Sequence, residues 1–477
     1  MTDVVLSTGI VRGTSSAGIR RFLGIPYAAA PVAERRFALP VPHSPWKEIY
    51  DATGYGATAP QSEYAGAIGK LLPTVTVPGD EFLNLNVWAP ENAQGLPVMF
   101  WVHGGSLAHG SNALAAYDGA SFARDGVVFV SINYRLGSEG FSVLEGAPLN
   151  LGLADVVAAL RWVQDEIAAF GGDPSRVTGF GESAGAILLG ALLPHPDARS
   201  LFSQMILQSG LPAAADREKA GLITRKTAKH LGIPATRAAF AKTPAGELVA
   251  AQNAATAGST PITGGASFTL AVGDELIPSP PMTQLFAGVG GDIPLLLGST
   301  SEEYRLWFVP TGLMSKISAG LFAGARLTFK IGPRVMAAYR DRNPGASRGE
   351  LFGALATDIL LRLPINRIAD ARLARGASTH VYEFAWRSPV QDLGAAHAME
   401  LGFVFDGLAS PDSINLAGPD APQQLADDMH GAWVRFATTG DPGWTAWSAE
   451  RPVQTFDAPA SRIVNAPRER ERASWGR

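Results

Sequence analysis

Two uninterrupted apolar runs, residues 98–102 (Val-Met-Phe-Trp-Val) and 127–130 (Val-Val-Phe-Val), restrict the folds open to this chain more than any other feature. A strand with one wet face alternates apolar and polar residues. A run with no polar interruption is a strand covered on both faces, as in a central parallel sheet. Between residues 153 and 169 the period changes: Val156, Ala159, Leu160, Val163 and Ile167 recur at helical spacing, with Asp155, Arg161, Gln164 and Asp165 between them. Gly171-Gly172-Asp173-Pro174 stops that helix, and the next apolar run covers 177–180. Further buried strands are expected at 204–207, 294–297 and 379–384. Strands alternating with helices predict an α/β architecture, a central and mostly parallel sheet flanked by helices.

The flanks read differently. Residues 9–13 and 21–25 are expected as short strands of an antiparallel edge, and 83–88 alternates with period two, as a strand does. Residues 62–79 carry Gly and Pro and predict a surface excursion. Residues 212–290 and 310–365 read as helical or irregular insertions that cap the sheet. No repeat, low-complexity tract or linker interrupts the 477 residues, so a single domain over 1–477 is expected.

Gly181-Glu182-Ser183-Ala184-Gly185 follows the run 177–180 and precedes Ala186-Ile187-Leu188-Leu189. That order is strand, sharp turn and helix, with Ser183 at the turn. Glycines on both sides leave room where a Cβ would meet a neighbouring element. The turn lifts the serine oxygen clear of the backbone, and the N–H of Ala184 points into the same space at a helix N-terminus. The chain has 53 Gly, so these five residues alone decide little, and their setting has to.

The chain has no Cys, which excludes disulfides, thiolate nucleophiles and cysteine-held metals and leaves serine as the candidate nucleophile. The formal net charge of −4 gives no reason to expect nucleic acid or an anionic membrane as partner. No run of apolar residues is long enough to span a bilayer. The start, Met1-Thr2-Asp3-Val4-Val5, has no basic region followed by a long apolar one, so a cytoplasmic protein is expected.

A serine hydroxyl needs a base, and the base is best a histidine held by a carboxylate. His195, His230, His380, His397 and His430 follow Ser183. His195 sits in a Pro-His-Pro turn, His380 inside an expected strand and His430 on an apparent helix. His397 follows the strand 379–384 on the small-residue loop Gly394-Ala395-Ala396, which favours it. The acid is expected after the strand 294–297, where Glu302 and Glu303 stand together and spacing does not choose between them. His103-Gly104-Gly105 follows the run 98–102, and its glycines let backbone N–H groups approach a substrate oxygen.

Several ordered motifs carry a resemblance. They are Phe22-Leu23-Gly24-Ile25-Pro26-Tyr27-Ala28 with Arg36-Phe37, Asp80-Glu81-Phe82-Leu83-Asn84-Leu85-Asn86-Val87-Trp88, Asn133-Tyr134-Arg135-Leu136-Gly137 and Phe170-Gly171-Gly172-Asp173-Pro174 leading into the serine turn. Gly273-Asp274 with Ile277-Pro278 and the stretch 433–440 extend them over nearly the whole chain. In these motifs the chain resembles the type B carboxylesterases, the family of para-nitrobenzyl esterases, carboxylesterases and cholinesterases. The resemblance implies an α/β-hydrolase fold and a serine carboxylesterase that acts through an acyl-enzyme, with no cofactor and no metal. It implies Ser183 as nucleophile, His397 as base, Glu303 rather than Glu302 as acid, and the N–H groups of Gly104, Gly105 and Ala184 as the oxyanion hole. Phe82 replaces the family's signature cysteine. Ser106 and Leu107 stand where many relatives have Gly and an aromatic residue, and Tyr304 replaces a common Gly. Ser106, Leu107, Tyr304, Trp307, Phe308 and Phe403 are therefore expected to line the substrate pocket. The expected partner is a small-molecule ester. An amidase, a carbamate hydrolase or a specialised detoxifying esterase would use the same triad, and a non-catalytic binding module is the alternative of another class.

Overall fold

The runs 98–102 and 127–130 lie side by side in the middle of one large sheet. A computed structural model describes residues 1–259 and 267–476; residues 260–266, part of the expected cap stretch 212–290, lie outside the described residues. The strands in chain order are β1 (Thr2–Leu6), β2 (Gly9–Ser16), β3 (Ile19–Pro26), β4 (Tyr50–Asp51), β5 (Asn84–Pro90), β6 (Leu96–Val102), β7 (Val128–Ile132), β8 (Gly172–Glu182), β9 (Gln204–Gln208), β10 (Ala214–Ala215), β11 (Leu270–Ala271), β12 (Leu295–Thr300), β13 (Thr379–Phe384), β14 (Pro452–Phe456) and β15 (Arg462–Asn465). Among the described residues the main sheet runs β1-β2-β3-β5-β7-β6-β8-β9-β12-β13-β14-β15, with β4 on β2 and a separate pair β10-β11. Every pairing from β7 to β14 is parallel, and the pairings at both flanks are antiparallel except β2 with β4.

The uninterrupted runs still obey a period of two. Val98, Phe100 and Val102 belong to the core on one face of the sheet, and Met99 and Trp101 to the core on the other. Leu295 and Leu297 divide from Leu296 in the same way. The helices Leu151–Glu166 and Ala184–Leu192 supply the first core, and the helix Gln423–Thr439 the second. Each such large apolar side chain, fully buried, contributes about 1.5–3 kcal/mol.

The strand expected at 83–88 forms as β5 and is buried on both sides. Its Asn84 donates to the carbonyls of Ala57 and Glu81, and Asn86 accepts from Gly24 N–H. Asp155, on the helix Leu151–Glu166, is buried and clasps the Arg135 guanidinium with both carboxylate oxygens, at 2.6 and 2.8 Å. Residues 62–79 run mostly half-buried or exposed, as expected of a surface excursion, and Tyr64, Ile68, Leu71, Leu72 and Pro73 also line one wall of a cavity of about 610 Å³.

No helix of the described residues is long and apolar enough to cross a membrane.

Candidate active site

The carboxyl ends of the parallel strands, where an open α/β sheet leaves a crevice, gather the expected residues. Gly104 follows β6, Ser183 follows β8, Glu303 follows β12 and His397 follows β13. All four line one cavity of about 610 Å³, together with Gly105, Ser106, Leu107, Ala184, Trp307 and apolar side chains such as Ile187 and Phe268.

The turn at Ser183 is as tight as its glycines suggest. Ser183 has φ 54° and ψ −117°, a strained conformation of the order of 1–3 kcal/mol. The packing that holds it leaves no room for side chains. A Cβ on Gly185 would lie 1.9 Å from Val102 O, one on Gly181 2.7 Å from Gly185 C, and one on Gly210 2.2 Å from Ser183 O. Ser183 N–H donates to Gln208 O at 2.8 Å, fixing the turn to β9. Ser183 Oγ makes no hydrogen bond among the described residues and faces the cavity.

Glu303 is buried at 1 % exposure and carries three hydrogen bonds. Its Oε1 accepts from Ser209 Oγ at 2.7 Å and from Thr300 N–H at 2.8 Å, and its Oε2 meets His397 Nδ1 at 2.5 Å. His397 N–H also donates to Glu303 O at 3.3 Å, so the two loops are tied twice. The Trp307 ring lies against the imidazole, centroids 4.8 Å apart. Glu302 points away and pairs with Arg387 and Arg305, which resolves the choice that spacing left open as far as contact with His397 goes.

The other face of the imidazole meets a group the sequence reading did not single out. Glu182 Oε1 lies 3.0 Å from His397 Nε2, off the line of a hydrogen bond, as a charge contact. Burial depresses the His397 pKa, but the carboxylates of Glu182 and Glu303 outweigh it and hold it well above the ordinary histidine value. Glu400, three residues after His397, is a third buried carboxyl. Burial first, then the charges of Glu182 and Glu303, push its pKa up to about 8, so it carries a proton at neutral pH. Its Oε1 is 3.5 Å from Ser209 Oγ, and its Oε2 has no partner among the described residues. The one signal for Glu400 in the sequence is its spacing from His397; Ser209 gave none.

Gly104 and Gly105 form the opposite rim. The N–H groups of Gly104, Gly105 and Ala184 have no acceptor among the described residues and border the cavity beside Ser183. Gly105 has φ +116°, and a Cβ there would lie 2.0 Å from His109 O. Ser106 and Leu107, both at positive φ, complete the turn. His103 is buried, with its pKa pushed down to about 4 by that burial, so it is neutral. Its Nδ1 bonds the Gly104 carbonyl at 2.8 Å, and Tyr134 OH donates to the His103 carbonyl at 2.9 Å.

Of the six residues expected to line the pocket, Ser106, Leu107 and Trp307 do. Tyr304 and Phe308 do not: they face a small core under the cap, with Phe322, Val335 and Leu351. Phe403 does not either, because it packs against Phe384 and Trp386 in the main core. No group of three or more His, Asp or Glu among the described residues is placed to hold a metal ion.

Residues 1–457 match the carboxylesterase family model. Over 99 % of its length the chain is 34 % identical to the para-nitrobenzyl esterase of Bacillus subtilis, covering 98 % of that protein. It is 33 % identical to the phenmedipham hydrolase of Pseudarthrobacter oxydans, with 94 % and 93 % of the two chains aligned. Among solved structures, a carboxylesterase of Geobacillus stearothermophilus superposes with a TM-score of 0.88 at 35 % identity, covering both chains in full.

Proposed function

Because this chain belongs to the carboxylesterase family and is a serine carboxylesterase of the α/β-hydrolase fold, we propose that Ser183, His397 and Glu303 carry its reaction. The observation behind the assignment is the hydrogen bond from His397 Nδ1 to a Glu303 carboxylate that Ser209 and Thr300 already hold in place. That bond fixes the imidazole so that Nε2 is turned toward the Glu182–Ser183 turn.

In the first step Ser183 Oγ attacks the ester carbonyl while His397 Nε2 takes its proton. The carbonyl oxygen gains negative charge, and the N–H groups of Gly104, Gly105 and Ala184 donate to it. His397, now a cation beside Glu303, gives its proton to the departing alcohol, and an acyl-Ser183 remains. Water then repeats the sequence: His397 removes its proton, the tetrahedral adduct collapses, and Ser183 leaves with the proton as the acid is released. His103 keeps the Gly104 carbonyl turned away from the hole through its ring nitrogen. The apolar wall of Leu107, Ile187, Leu211, Phe268 and Leu361 suits an ester with an apolar acyl or alcohol group.

Release of p-nitrophenol from acetyl, butyryl and octanoyl esters tests the reading, with phenmedipham as a further substrate. Ser183→Ala is expected to lower kcat by about 10⁶ and Glu303→Gln by about 10⁴. A phosphonate should label Ser183 alone. Turnover retained in purified Ser183→Ala would sink the assignment.

A further inference from the structure

A net charge of −4 conceals one segment of opposite character. Between Glu303 and Asp341 there is no acidic residue, while Lys316, Arg326, Lys330 and Arg334 fall within 19 positions of one another. None of the four makes an ion pair among the described residues; the hydrogen bonds of Lys316 and Arg326 go to backbone carbonyls of Thr311 and Ile331.

The helix inside this segment, Ala319–Thr328, is amphipathic the wrong way round for a protein surrounded only by water. Phe322 is its one buried side chain, inserted into the cap core with Val335 and Leu351. Its outer positions, Leu321, Ala323, Gly324, Leu327 and Thr328, include no charge. Leu321 is 52 % exposed and Leu327 82 %, and Phe329 just beyond the helix is 47 % exposed. Single exposed apolar residues are ordinary, but three on one cap element, bordered by four unpaired cations, form a patch.

The chemistry of that patch selects its occupant. A large apolar side chain with Lys and Arg around it matches the boundary of an anionic lipid layer, where the apolar group enters the acyl region and the cations meet headgroup phosphates. A second copy of the same face would set four cations against four and repel itself. A soluble anion would use the charges but leave Leu321, Leu327 and Phe329 in water. We propose that this face docks the protein on the surface of an anionic lipid layer. The same cap bounds the active-site cavity, through Trp307, Thr311, Thr357 and Leu360, so docking brings the cavity mouth to a phase in which apolar esters collect. That last consequence rests on the esterase reading; the docking does not.

Flotation with vesicles of ether-linked lipids tests the docking apart from hydrolysis, since these lipids offer no ester. The wild type is expected to float with phosphatidylcholine–phosphatidylglycerol vesicles, and not with phosphatidylcholine alone or in high salt. The double variant Lys330→Ser/Arg334→Ser should bind about 25-fold more weakly, at about fivefold per cation. Leu327→Ser should lose about tenfold. These residues are exposed and do not line the active-site cavity, so all variants should hydrolyse p-nitrophenyl acetate as the wild type does, which also shows that they are folded. No flotation of the wild type with anionic vesicles overturns the proposal. So does flotation that these substitutions leave unchanged, or a wild-type dimer that Leu327→Ser dissociates and vesicles do not. Flotation lost in Ser183→Ala would place the lipid in the catalytic cavity rather than on this face, and overturn it as well.

Discussion

Replacing Glu182 by Gln should move the acid limb of the pH–rate profile to lower pH. The carboxylate lies 3.0 Å from His397 Nε2. At that separation two unit charges interact by about 5 kcal/mol at an effective dielectric constant of about 20, or about 4 pKa units before any offset. Burial of the imidazole acts in the other direction, and Glu303 remains on the far nitrogen. The net drop expected for one charge removed is therefore about 1–3 units. The sign follows from the role of the base. His397 works as the neutral imidazole, so a raised pKa keeps it protonated and inactive further up the pH scale. Removing Glu182 frees the neutral form at lower pH.

The assay is kcat/KM for p-nitrophenyl butyrate across pH at constant ionic strength, because kcat/KM reports ionisations of the free enzyme. Glu182→Asp serves as control: it keeps the charge on a shorter side chain and should give an intermediate limb. Added salt should move neither limb much, since the pair is buried and screened little. A limb unmoved in Glu182→Gln would mean that Glu182 does not set the charge on His397 in the working enzyme. A limb displaced upward would refute the electrostatic argument outright.

Gly185→Ala would place a methyl group 1.9 Å from Val102 O, a clash with backbone that no rotamer relieves; a loss of several kcal/mol is expected, read as a lower urea midpoint with activity lost in parallel. Asp155→Ala leaves the Arg135 guanidinium buried without its partner and should cost about 3–5 kcal/mol in the same measurement, with the Ser183 site untouched until the fold gives way. Glu400 keeps a proton up to about 8 that the unfolded chain releases near 4.5, so folding stability should fall as pH rises between those values, by up to about 5 kcal/mol in all. In Glu400→Gln that part of the decline should vanish, which urea titrations near pH 5 and near pH 9 would detect.

Much of the fold was legible because the sheet's signal is local. A run such as 98–102 needs two covered faces wherever it is placed, and the glycines flanking Ser183 stand in one short motif, although the backbone of Val102 that excludes a side chain from Gly185 comes from a distant strand. What failed were inferences about direction. Asp155 and Asn84 look like surface residues in a period count, since a period does not distinguish water from a buried partner; Arg135 and the Ala57 carbonyl supply the partners from elsewhere in the chain. Tyr304, Phe308 and Phe403 stand next to site residues in sequence yet face away from the cavity. At a turn neighbouring side chains diverge, and an aromatic ring is satisfied equally by a core on the other side. Trp307, one helical step from Tyr304, is the ring that reaches His397. The wall formed by residues 62–79 was hidden for the opposite reason: without regular structure, nothing periodic tells which of its residues face inward.

The supply of hydrogen-bond donors around His397 is uneven, and that unevenness assigns the carboxyls different work. Glu303 has three donors, Glu182 has only the charge contact, and Glu400 leaves one oxygen without a partner and holds a proton instead. A third charge at Glu400 would raise the pKa of His397 further. The charges of Glu182 and Glu303 stabilise the cation formed as Ser183 attacks, and Glu400, which keeps its proton, adds no further charge to it. Glu400→Gln preserves that count of charges, so near neutral pH it should leave the acid limb where it is, although it stands beside the same Ser209 that holds Glu303. Glu182→Gln changes the count and should move the limb. If the two substitutions shifted the limb equally, hydrogen-bond geometry rather than charge would govern His397, and the division of roles among the three carboxyls would fall.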